Sequence, residues 1–151
     1  MTVLAGGRVR IPLPPGWEGV LDPGGELPDG ARRWLVAHLA NFPLPTERGT
    51  FGLGVVNLMH PGDAFVVLFE YGPESVGTPL FADAGVPRKV EAAEFSRDIL
   101  QHPLPGQSGT QRFFVEAGRP FMLYVVVGSH IDRADVLPEI NRVLADLEIE
   151  P

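Results

Sequence analysis

The clearest hydrophobic pattern lies in the last third of the chain. Residues 111–116 and 121–127 are two apolar runs separated by Ala117, Gly118 and Arg119. Runs of that length bounded by turn residues read as two strands of a hairpin. Residues 134–147 follow at once. There Leu137, Ile140, Val143, Leu144 and Leu147 recur at helical spacing, with Glu139, Arg142 and Asp146 between them. The spacing predicts an amphipathic helix docked on a sheet. Asp132 or Asp135 can cap its start. Pro138 fits only if it lies in the first turn, where its missing N–H costs nothing.

Upstream, residues 8–13 alternate Val9, Ile11 and Leu13 with Arg8, Arg10 and Pro12, which predicts a strand with one polar face. Pro14, Pro15 and Gly16 stop it, and residues 22–29 read as a loop. Residues 32–42 predict a second strand. Trp34, Val36, His38, Ala40 and Phe42 would share one face, and Leu35, Ala37, Leu39 and Asn41 the other. Residues 51–59 and 64–71 predict a hairpin around the turn residues His60, Pro61, Gly62 and Asp63. Residues 72–88 are turn-rich, with a short ordered piece near 80–84, and residues 90–102 fit a helix or a strand equally. Residues 64–71 and 121–127 are apolar on both faces, so both strands should be central and covered on both sides. The expected fold is α+β in one domain: a mainly antiparallel sheet, the C-terminal helix on one face, and short helix or loop cover on the other.

Composition narrows the function classes. The formal net charge is −7 and the arginines are scattered, which argues against a nucleic-acid partner. There is no cysteine, so disulfides, thiol nucleophiles and thiolate metal sites are excluded. The 18 glycines and 16 prolines are spread between apolar runs, which predicts many turns rather than disorder. Together with a single lysine, Lys89, they give the look of a GC-rich, actinobacterial composition. The start lacks the pattern of a signal peptide, and the longest apolar run, 121–127, is too short to span a bilayer. The expectation is a cytoplasmic protein, although a secreted mature domain would read the same.

Candidate chemistry is sparse. The four histidines, His38, His60, His102 and His130, show no helical i, i+4 pair, and Asp63 beside His60 reads as a turn cap for backbone amides. No metal site and no cofactor are expected. His38 sits in an apolar strand and reads either as a general base lining a pocket or as a core histidine with one hydrogen bond. Ser108 shares residue types with a triad through His102 and Asp98. Its surroundings, 106–110, nevertheless match neither a nucleophile elbow nor a phosphate loop, because a strand follows instead of a helix. Glu70 and Glu74 flank Tyr71, and a carboxylate ending an apolar strand can be desolvated. Trp17, after Pro15 and Gly16, reads as a ligand contact or as a lid over one end of the core.

The opening Val9-Arg10-Ile11-Pro12-Leu13-Pro14-Pro15-Gly16-Trp17 resembles the strand and "Pro-x-Gly-Trp" start of Mog1/PsbP-like domains. The finish is similar too, with a strand after the Gly118-Arg119 turn and then a terminal helix. The resemblance, which extends to small actinobacterial proteins and lipoproteins of that fold, implies an antiparallel sheet with helices on both faces. It also implies an accessory or binding role, and it carries over no catalytic residue. The leading expectation is therefore a small non-catalytic binding domain for a protein partner or a small apolar ligand, with Trp17, His38, Glu70 and Tyr71 as the candidate contacts. A homodimer through an exposed edge strand is a variant. The alternative is a small hydrolase-like enzyme with a cleft using His38, Glu70 or Ser108.

Overall fold

The structure, a computed structural model, describes residues 2–151. β1 (Thr2–Gly6) and β2 (Val9–Leu13) form a hairpin turned by Gly7 and Arg8, both with positive φ. β3 (Glu18–Asp22) and β6 (Val36–Ala40) form a second hairpin, extended at its tip by the short ribbon of β4 (Gly25–Glu26) and β5 (Arg32–Arg33). β7 (Ala64–Glu70), β8 (Ser108–Glu116) and β9 (Arg119–Val127) follow, then the helix α1 (Arg133–Asp146) and β10 (Glu148–Ile149). The main sheet has the order β3-β6-β7-β9-β8, antiparallel throughout, and a smaller sheet has the order β1-β2-β10. The fold is thus α+β, as expected. Among the described residues no helix is long and apolar enough to cross a membrane.

β7 is the middle strand and β9 its neighbour, and their residues alternate between two cores. On one face Ala64, Val66, Leu68, Leu123 and Val125 meet Val136, Ile140, Val143 and Leu144 of α1 and Val9, Ile11 and Leu13 of β2. On the other face Phe65, Val67, Tyr124 and Val126 are covered by Val55, Val56 and Leu100 from irregular segments. Burying one such side chain contributes roughly 1.5–3 kcal/mol, so both covers are needed. The β8–β9 hairpin closes through Ala117 and Gly118, both left-handed, the two-residue turn whose twist matches the strands.

Three expectations need correction. Residues 51–59 are not a strand paired with β7. They form a loop with one 3-10 turn, Val56–Leu58, because Gly52 (φ 92°) and Gly54 (φ 86°) bend the chain out of extended geometry. A Cβ at Gly52 would lie 2.7 Å from the Phe65 ring, so the loop presses flat on the sheet there. β1 and β3 lie where no strand was expected. Finally, Pro138 is the sixth residue of α1, beyond the first turn, and is tolerated there on the exposed side. The ambiguous stretch 90–102 resolves into two 3-10 turns, Ala92–Glu94 and Arg97–Ile99. Pro138 leaves the Ala134 carbonyl without its helical donor. Replacing it with alanine, Pro138→Ala, should stabilise the protein by about 1–3 kcal/mol, read as a higher urea midpoint at unchanged slope.

Candidate functional site

β6 turns His38 onto the second face, opposite Val20 of β3 and stacked 5.6 Å from the Phe65 ring. The loop after β6 carries Arg48 back across it. Arg48 Nε donates to His38 Nδ1 at 2.9 Å, and His38 Nε2 lies 2.8 Å from the Thr50 carbonyl. A nitrogen that accepts from a guanidinium holds no proton, so the ring is neutral with its proton on Nε2, donated to Thr50. Both nitrogens are occupied, and no lone pair remains to act as a general base. Burial pushes the His38 pKa below its ordinary 6.5, and the Arg48 charge adds to this against the opposing Thr50 bond. The shallow depression beside it, about 220 Å³, is lined by Val20, Asp22, Thr46, Arg48 and Thr50. Below pH 6.5 the unfolded chain protonates this histidine while the folded chain resists. Stability present above pH 6.5 is therefore lost as the pH falls through the lower folded-state value. The urea midpoint should drop between about pH 7.5 and 5.5, and His38→Gln should drop less over the same interval.

Glu70, at the end of β7, is held in a two-pronged ion pair. Arg119 Nε and Nη2 each donate to one of its oxygens at 2.9 Å, and Arg119 Nη1 donates to the Glu150 carbonyl at 2.8 Å. The guanidinium also lies over the Phe121 ring at 5.2 Å. This clamp ties β7, β9 and the C-terminal segment together, with each carboxylate oxygen accepting one of its bonds. Glu74 lies apart, exposed in the 3-10 turn Pro73–Ser75. Glu70→Ala should cost about 2–4 kcal/mol, because it strands a largely buried guanidinium; thermal unfolding measures it.

Ser108 is fully buried at the start of β8. Its Oγ lies 2.8 Å from Nδ1 of His130, not beside His102 or Asp98. The hairpin register explains the pairing, since counting out from Ala117-Gly118 puts Ser108 opposite Val127, three residues before His130. Partial desolvation and the nearby Arg133 and Arg97 guanidiniums hold His130 below its ordinary pKa. Acyl transfer needs a reachable serine and a carboxylate orienting the base. Here the serine is covered, and no carboxylate among the described residues hydrogen-bonds the His130 ring. Trp17 is also buried, at 5% exposure, and its indole N–H donates to Glu139 Oε1 at 3.1 Å. It is the lid over the first core, not a free contact. At the 60–63 turn the Asp63 carboxylate accepts the His60 backbone amide at 2.7 Å, the cap expected of it. Among the described residues, no group of three or more His, Asp or Glu side chains could hold a metal ion.

Tyr71 stands elsewhere. It meets Phe69 (5.1 Å), Phe81 (5.3 Å) and Phe113 (6.2 Å) edge-on, Phe69 continues to Phe51 (6.0 Å), and Phe51 to Tyr124 (6.2 Å). Such edge-to-face contacts are favourable beyond their buried area. Phe51, Phe69, Tyr71 and Phe113 are only half-buried. Leu53, Leu58 and Leu80, on the 51–59 loop and next to Phe81, are exposed. Desolvation raises the Tyr71 pKa above its ordinary value. Of the four candidate contacts, only Tyr71 is half-buried, and its neighbours Phe69 and Phe113 come from strand positions whose alternation marks the same face. Arg48 and His130 escaped sequence reasoning because their partners are set by tertiary register. No protein-family model, no curated protein and no solved structure matches the chain.

Proposed function

We propose that the chain is a non-catalytic binding domain that docks a protein partner on the aromatic face of its main sheet. The observation that carries this reading is the connected set Phe51, Phe69, Tyr71 and Phe113, each half-buried and drawn from three segments of the chain. Aromatic rings with few charges among them are what the centres of protein interfaces are made of. The rings are spread across the sheet rather than gathered into a cavity, which favours a protein over a small apolar ligand. The Mog1/PsbP-like resemblance supports the same accessory role. The hydrolase-like alternative has less support, because His38, Glu70 and Ser108 lie apart and each is engaged by a partner of its own.

Surface substitutions test the reading. A Phe51→Ser, Tyr71→Ser double variant should keep its circular dichroism spectrum and lose partners captured from extract by the unaltered protein. A Leu53→Ser control on the same loop should lose less. Capture that survives the double variant, or depends equally on Leu53, would count against the aromatic face.

A further inference from the structure

The two edges of the main sheet are finished differently. At β8 the chain covers its own edge: Ser96 exchanges both backbone bonds with Gly109, and Val115 bonds Asp83 and Gly85. At β3 no segment does so: β1 packs against its inner face, with Leu4 on Gly19, and makes no backbone bond to it. The Glu70 amide donates to the Leu35 carbonyl, so the odd residues of β6 bond β7 and the even ones bond β3. The even residues Val36, His38 and Ala40 face Asp22, Val20 and Glu18. Gly19 and Leu21 therefore turn their N–H and C=O groups outward, and no described residue takes them up. An open edge of this kind is a template for another strand.

The chemistry beside this edge is specific. Val20, at its centre, is 44% exposed and shares a face with the depression lined by Asp22, His38, Thr46, Arg48 and Thr50. The acids there are already matched. Asp22 accepts from Arg33 Nη1 at 3.0 Å and from the Gly24 amide at 2.9 Å, and Glu18 accepts the Leu44 amide at 2.6 Å. His38 is neutral. Arg48 spends Nε on His38 and Nη1 on the Pro45 and Thr46 carbonyls, while its Nη2 has no partner among the described residues. The unspent group next to the open edge is thus a cationic donor. A second copy of the chain fits poorly, since antiparallel self-pairing about Val20 would set Glu18 opposite Asp22.

We infer that β3 accepts an extended segment of a partner protein as a sixth, antiparallel strand, with a carboxylate side chain opposite Val20 bonded by Arg48. The backbone groups of Gly19 and Leu21 supply affinity, and Arg48 supplies selection for an acid by a charge-assisted bond. This rests on the reading of the chain as a binding domain and places a second contact at the rim of the same face.

The test is a titration of the nitrogen-15-labelled full chain with two capped peptides, Thr-Val-Glu-Val-Thr and its central-lysine twin. The glutamate peptide should shift the Gly19 and Leu21 amides and slow their hydrogen exchange. The lysine peptide should bind about tenfold more weakly or worse, a difference of about 1.4 kcal/mol. Arg48 also braces its loop, so the variant of choice is Val20→Glu at an exposed position. It should repel the glutamate peptide by a similar factor. Unchanged Gly19 and Leu21 amides up to the peptide's solubility limit would overturn the inference, as would equal binding of the lysine twin. So would a dimer in sedimentation with those amides already protected. Shifts confined to Phe69, Tyr71 and Phe113 would overturn the edge site and leave the aromatic-face reading standing.

Discussion

The structure depends on one constraint: β7 and β9 are apolar on both faces. Phe65 and Val67 point one way, Val66 and Leu68 the other, and all four are buried. A strand of this kind cannot sit at an edge or face water on either side, so it must lie inside the sheet and the sheet must be covered twice. The first cover is regular. α1 offers Val136, Ile140, Val143 and Leu144 as a stripe, and the β1–β2 hairpin fills the remaining space. The second cover is assembled from irregular chain, with Val55, Val56, Phe51 and Leu100 laid against the sheet singly. Among the described residues there is one α-helix, and it is spent on the first face.

Residue types that suggested chemistry turned out to serve this construction. His38, Glu70 and Trp17 are polar groups in largely apolar surroundings, and each is matched by a partner: Arg48 from the loop that follows β6, and Arg119 and Glu139 from far along the chain. An unmatched buried polar group costs more than a matched one returns, so these pairs fix register and closure. His38 stays neutral and anchors the loop that covers its own face. Glu70 and Arg119 pin the end of the central strand to the C-terminal segment. Ser108 and His130 tie the start of β8 to the turn before α1. Of these groups His38 has both ring nitrogens taken up, one by Arg48 and one by the Thr50 carbonyl.

The sequence showed what depends on local period and hid what depends on register. The block from β8 to α1 was legible because Ala117-Gly118 fixes the hairpin and the helical stripe follows it without interruption. β7 was legible as central from its two apolar faces alone. β3 was not, because it works through smallness: a Cβ on Gly19 would come within 2.7 Å of Leu4 and 2.8 Å of Leu39, a fit between strands that alternation cannot signal. Residues 51–59 misled for the opposite reason. Their apolar run resembles a strand, yet the left-handed glycines at 52 and 54 turn it into a flat cover. At the candidate site, Tyr71 was legible by residue type and place, whereas the role of Arg48 depends on a loop path that no period encodes.

The form of the second cover explains why this face stays partly open. A helix presents a continuous stripe, because its side chains recur every three or four residues on one side. A glycine-bent loop presents apolar groups one at a time, leaving gaps between them. Beneath such gaps a sheet must expose whatever its strands carry, and here they carry phenylalanine and tyrosine. Small side chains at Phe69, Tyr71 and Phe113 would have left less apolar area facing water. The large rings instead stabilise one another edge-on while remaining within reach of another surface. The same economy of helix leaves the outer backbone groups of β3 unpaired, with only β1 packed against its inner face, whereas β8 gains backbone partners from segments that the chain must in any case run past on the way to its terminal hairpin.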